Sequence, residues 1–362
     1  MATELIKHLC EVNLHRAKEW EHIEGARTLY MRQYSTRWFV TKCMDGRVNF
    51  QRITGILPLL MIPNRNIGGI YSVDWPLFLN KMNRYEDQAH VDRVFAGMII
   101  TYHYSDSECD KPPSERELCC SGFNQNTDDA IAHMCHFRRQ VEFCFGGRIW
   151  PIVIGIETDH EAIIVHGTDF KRTVKVTDLL NEDIDGIFFA DKLARMLQDI
   201  LPGFPKKVCW DLVPLLVGNI RHVRKIRIEG IHRNPPKHKE VGVGVGVGFE
   251  WFPEGLLFAI GPCDPMLARP IVKAVGIVCN NMRSKRVPEN GVLLISAPYY
   301  RDVDLNCAIA EACGLGQLAQ SAIADSEFAH MVDILKPLVV ATDMRNRRIH
   351  RIENYPNYLS AT

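Results

Sequence analysis

The sequence predicts an α/β protein: an open sheet with flanking helices, then a second, degenerate α/β domain, with a helical segment in front. Three observations carry this. Short runs rich in aliphatic and β-branched residues recur at 37–43, 94–103, 149–157 and 292–296, and helix-length stretches lie between them. The same alternation resumes after the break Leu201-Pro202-Gly203-Phe204-Pro205, so a degenerate internal duplication is expected. Residues 3–33 show helical spacing. The expected divisions are 1–35, 36–200 and 201–362.

In chain order, Leu5, Ile6, Leu9, Val12, Leu14, Trp20, Ile23, Ala26 and Leu29 are spaced for one or two amphipathic helices. The run 37–43 (RWFVTKC) reads as a buried strand that ends in a cysteine and turns at Gly46. A second apolar strand is expected within 51–72, closed by Gly68-Gly69, whose lack of side chains allows close backbone approach. Residues 76–95 read as a helix and 94–103 as a strand ending in His103. A polar loop follows from Ser105 to Glu117. Asn126 or Thr127 caps a helix over 130–145, and 149–157 and 161–166 read as adjacent strands. Residues 175–200 form a helical connector. Beyond it, strands are expected at 220–229, 241–248, 256–261, 292–296 and 335–342, with helices at 265–283 and 305–322. The alternating Val-Gly run from Val241 to Gly248 lacks the Lys-Ser/Thr of a phosphate loop and reads as a strand with one closely packed face.

Composition narrows the partners. The 43 basic and 43 acidic residues give a formal net charge of zero, which argues against nucleic acid or an anionic membrane as the main partner. No apolar run reaches the roughly 18 residues of a membrane span. The N-terminus lacks the basic flank and apolar block of a signal peptide, so the 12 cysteines read as reduced thiols of a cytoplasmic protein.

Chemistry concentrates where two strands end in metal-capable residues, Cys43 and His103, and a nearby loop carries Cys119-Cys120. Two Cys and one His from separate elements suit a zinc site with an open fourth position, the mark of catalytic zinc. Asp45 and Arg47, two and four residues past Cys43, can form a bidentate carboxylate–guanidinium fork. Each piece has a bland reading: a buried Cys is mostly inert packing, a strand-end His a hydrogen-bonded residue, and Asp-x-Arg a surface pair. Convergence at the carboxyl edge of one sheet, where sites of α/β folds lie, is what favours the functional reading.

Cys43-Met44-Asp45-Gly46-Arg47 resembles the C-x-D-x-R signature of beta-class carbonic anhydrases, and Arg65-Asn66-Ile67-Gly68-Gly69 resembles that family's R-N-A-G turn. A His and a Cys follow in the family's order, but the spacing from His103 to Cys120 is wider than the usual H-x-x-C. That gap, with a second α/β half lacking ligands, resembles the carboxysome shell branch; cadmium-tolerant diatom enzymes also share the widened gap. The resemblance spans roughly 37–170 by motif. It implies a beta-carbonic-anhydrase-like fold in which Cys43, His103 and Cys120 hold Zn2+, with Cys119 as the alternative third ligand and Cys109 a weaker one. It implies interconversion of carbon dioxide and bicarbonate by attack of zinc-bound hydroxide. Asp45 would orient the hydroxide and Arg47 would hold Asp45. Gly68, Gly69 and Gly122 would line the small substrate pocket, and Asp106 is one candidate for passing protons to solvent.

Residues 201–362 offer no second site: Cys263-Asp264 lacks an Arg at the dyad spacing, and His232, His238, Cys279, Cys307 and Cys313 read as structural or surface residues. This half is expected to act as a support domain that makes one chain a pseudo-dimer, and two chains are expected to form a homodimer. Helical pattern from the first residues leaves no long arm for tethering to a shell, which favours a free cytoplasmic protein over a carboxysomal one. Two other readings stand beside the enzyme: a noncatalytic zinc-stabilised scaffold, and a related zinc hydrolase of carbon disulfide or carbonyl sulfide.

Overall fold

The computed structural model describes residues 2–57, 60–116, 120–229, 237–248, 255–300 and 305–353. The chain forms two compact bodies, one of Ala26–Cys43 and Val48–Lys237, the other of Met1–Gly25, Met44–Arg47 and His238–Thr362. Helices α1 (Ala2–His22) and α2 (Glu24–Gln33) open the chain, as their apolar spacing predicts.

The body built on Ala26–Cys43 and Val48–Lys237 contains strands β1 (Thr36–Cys43), β2 (Met61–Asn66), β3 (Phe95–Tyr104), β4 (Ile149–Glu157), β5 (Ala162–His166) and β6 (Thr173–Lys175). They form one sheet in the order β2-β1-β3-β4-β5-β6. The first four are parallel; β5 and β6 are antiparallel additions. Its helices are α3 (Phe50–Thr54), α4 (Pro76–Val91), α5 (Asp106–Cys109), α6 (Thr127–Phe145), α7 (Phe189–Ile200) and α8 (Lys206–Ile228). Side chains of β1 alternate between faces. Trp38 and Val40 enter a core with Leu193 and Leu197 of α7 and Leu212, Leu216 and Ile220 of α8. Phe39 instead meets Phe78 and Tyr85 of α4, and Phe78 meets Phe137 of α6. Parallel strands covered on both faces read as continuous apolar runs, which is why 37–43 and 94–103 were legible.

Three expectations change. Residues 220–229 continue helix α8 instead of forming a strand: Leu212, Leu216, Asn219, Ile220, Val223 and Ile226 are all buried, a helical period. Residues 51–54 are helical, because Asn49 caps α3 by accepting from the Arg52 amide at 3.0 Å and Gly55, at φ +64°, ends it; the strand begins only at Met61. The division between bodies falls at Lys237/His238, not at 200/201. The buried Asn219 amide explains why α8 stays with the first sheet. It donates to Ile53 O at 2.9 Å and Glu161 O at 2.8 Å, and accepts from Ile163 N at 3.0 Å. Gly218 lets α8 close on α3, since a Cβ there would stand 1.8 Å from Thr54 O.

The other body holds β7 (Gly242–Gly246), β8 (Leu257–Ile260), α9 (Ala268–Arg283), β9 (Val292–Tyr299), α10 (Leu305–Ala324), α11 (Met331–Ile334), β10 (Lys336–Asp343) and β11 (Ile349–Arg351). The sheet order is β11-β10-β9-β7-β8, with β11 antiparallel and the rest parallel. Strand for strand this repeats the order and sense of β5-β4-β3-β1-β2, so the two halves are a topological duplication. Leu9 of α1 packs on Leu257, Ala259, Val292, Leu294, Leu338 and Val340, while α9 and α10 pack on the sheet as well. The alternating glycines let β7 sit tightly beside β9: a Cβ at Gly242 would meet Val292 O at 2.1 Å. The segment Met44–Arg47 lies in this body, with Ala259 N bonded to Met44 O at 3.0 Å and Gly255 N to Gly46 O at 3.1 Å. No described helix is long and apolar enough to cross a membrane.

Candidate metal centre

Parallel β1 and β3 bring their carboxyl ends to the same edge, and there Cys43 and His103 meet Cys120. The two sulfurs and a ring nitrogen lie within 4.8 Å of one another, and all three residues are buried. The surrounding backbone fixes them. Asn66, paired in register with Cys43, closes the following turn by donating from Nδ2 to Ile70 O at 3.0 Å. In that turn Gly68 and Gly69 have φ of +63° and +69°, a region that disfavours a side chain. A Cβ on Gly69 would approach the Cys43 amide, and one on Gly122 would stand 2.7 Å from the Gly68 Cα. These three glycines therefore bring the Cys43 and Cys120 segments together.

The Cys120 carbonyl accepts from the amides of Phe123 and Gln125, each at 3.1 Å. Arg116 gathers the loop through the carbonyls of Lys111 (2.8 Å), Gln125 (3.0 Å) and Cys109 (2.7 Å). Cys109 is not part of the ligand cluster; burial pushes its thiol up. Asp106 also lies outside the cluster, and burial followed by the Asp159 charge raises its carboxyl. Cys119 and His232 lie outside the described residues.

Asp45 and Arg47 form the expected fork, in the body that also contains His238 and Glu240. The Arg47 backbone N and Nε reach Asp45 Oδ1 at 2.8 and 2.9 Å, and Nη2 reaches Oδ2 at 2.5 Å. Gly46 lets the segment lie close against β8: a Cβ there would meet Leu257 O at 2.8 Å. His238 was expected to be structural or a surface residue, yet its Nε2 lies 3.1 Å from Arg47 Nη2 and its Nδ1 lies 3.0 Å from Glu240 Oε2. The available signal was His238-Lys239-Glu240 just before the Gly-rich strand, with both side chains on one face of an extended segment.

A donor set of two thiols and one imidazole is the chemistry of a zinc site with one position left for water or substrate. Residues 37–184 match the family model of the carboxysome shell carbonic anhydrase catalytic domain. That stretch is thus similar to the carboxysome shell branch of the beta-class carbonic anhydrases. Among curated proteins, the carboxysome shell carbonic anhydrase of Prochlorococcus marinus (strain MIT 9313) is 26% identical over 172 residues, which are 42% of this chain and 32% of that protein. The protein of the same name from Parasynechococcus marenigrum (strain WH8102) is 24% identical over 241 residues, 58% of this chain and 40% of that one. The matched part of the chain thus spans 32% and 40% of these relatives' length.

Among solved structures, the beta-carbonic anhydrase CcaA is similar at 12% identity and a TM-score of 0.30, covering 48% of this chain and 91% of its own. The carbonic anhydrase of Streptococcus mutans follows at 14% and 0.22, covering 43% and 96%. These superpositions are loose, and the fold rests on the strand order described above.

Proposed function

We propose that this chain is a zinc-dependent carbonic anhydrase that interconverts carbon dioxide and bicarbonate. The observation that carries the reading is the convergence of Cys43, His103 and Cys120 at one strand edge, with an Asp45–Arg47 fork two and four residues beyond the first ligand. A purely structural zinc has no use for the fork. Zinc held by such a set lowers the pKa of a coordinated water toward neutrality and so supplies a nucleophile. Cys43, His103 and Cys120 would hold the metal, and Asp45 would accept a hydrogen bond from the water it supplies and orient that water toward the carbon. Arg47 occupies both carboxylate oxygens and holds Asp45 in one orientation. The duplicated strand order supports reading the half without Cys43, His103 and Cys120 as an internal stand-in for a second subunit, and a homodimer and a cytoplasmic site of action belong to the same proposal.

The test is stopped-flow hydration of carbon dioxide by the full chain, before and after zinc removal and after zinc is restored. The expected result is activity above buffer that disappears with the metal and returns with it. A zinc-loaded chain that hydrates no carbon dioxide between pH 7 and 9 would overturn the reading and favour a structural site.

A further inference from the structure

We propose that His238, locked by Glu240, is a positioning residue that holds Arg47 on Asp45; this rests on the carbonic anhydrase reading. Although His238 is 191 residues from Arg47 in sequence, its ring nitrogen meets the same Nη2 that grips Asp45 Oδ2. A guanidinium only donates, so His238 Nε2 must accept, and the ring hydrogen resides on Nδ1. That hydrogen points at Glu240 Oε2, 3.0 Å away. The result is a directional chain from Glu240 through His238 and Arg47 to Asp45.

The surroundings hold this chain in place. Glu240 is fully buried, its backbone carbonyl accepts from Asn281 Nδ2 at 3.0 Å, and the His238 ring packs 5.3 Å from that of Phe258. The second carboxylate oxygen, Oε1, is buried with no hydrogen-bond partner among the described residues. A carboxylate buried at that cost is poor packing material, and fixing the His238 tautomer is a role that only an acceptor at this point fills. Asp45, His238 and Glu240 could by type also hold a cation, but the Arg47 guanidinium already places a positive charge among them.

The test has two arms. In nitrogen-15-labelled full-length protein, with the His238 signals assigned by their loss in His238→Gln, imidazole shifts should show the Nδ1–H tautomer in the wild type. Glu240→Leu, which removes the acceptor, should disturb it. In stopped flow, His238→Leu should lower kcat/KM by about 10–100-fold with zinc content unchanged. His238→Gln, whose Oε1 can still accept from Arg47, should restore most of the loss. An Nε2–H tautomer, or a His238→Leu enzyme with wild-type kinetics, would overturn the proposal. If the zinc-loaded wild type shows no hydration at all, the functional reading fails, and the tautomer alone decides this one.

Discussion

Arg47 holds Asp45 by both oxygens of its carboxylate, at 2.9 Å from Nε to Oδ1 and 2.5 Å from Nη2 to Oδ2, with side chains only 12% and 4% exposed. Most Asp-x-Arg pairs on a surface contribute little because solvent competes for both partners. Here burial, two-point contact and the additional backbone amide give one defined orientation.

Replacing Arg47 by Lys keeps the charge and loses the fork. Hydration activity of Arg47→Lys should fall by about 10–100-fold while zinc content stays that of the wild type. Unchanged activity would mean that the orientation of Asp45 does not matter to turnover.

Asn219 joins α8 to α3 and to the β4–β5 turn through three buried hydrogen bonds. Asn219→Leu strands the Ile163 amide and two carbonyls, and each buried unsatisfied group costs about 1–3 kcal/mol. The urea midpoint should therefore drop by an amount equivalent to several kcal/mol. A shift below about 0.5 kcal/mol would show that the helix is held by apolar packing alone.

Burial pushes the His166 imidazole down from its ordinary 6.5 to about 4, with Lys175 adding to the effect, while its Nε2 pairs with the Tyr102 hydroxyl at 2.8 Å. Because the folded pKa is the lower one, the unfolded chain takes up the proton first on acidification. Stability from this group is full above pH 6.5 and is lost as the pH falls toward 4, by up to about 3 kcal/mol. Urea midpoints of His166→Gln should fall less steeply than those of the wild type across that range. Parallel slopes would show that His166 is not a source of the acid sensitivity.

Much of the candidate Cys-His-Cys cluster was legible because it sits on the most legible elements. β1 and β3 are buried on both faces, so their apolar runs mark the strand ends that deliver Cys43 and His103. Cys120 depended on a resemblance, since nothing local in its loop separates it from Cys119. The strand expected at 220–229 failed because only Ile226-Arg227-Ile228-Glu229 alternates, whereas Ile220, Val223 and Ile226 continue the helical burial of α8 over 23 residues. β6 and β11 have only three residues each, too few to show any period. His238 was missed for a different reason. Its partner Arg47 is brought to it by tertiary folding, and the local His238-Lys239-Glu240 pattern points only to the pairing with Glu240.

The most direct measurement is zinc per chain by mass spectrometry in the wild type and in Cys43→Ser, both checked for folding by circular dichroism. About one zinc per wild-type chain, lost in Cys43→Ser while the fold is retained, is the predicted result. A wild-type chain without zinc, or a Cys43→Ser chain that keeps its full complement, would contradict the metal centre on which the functional reading depends.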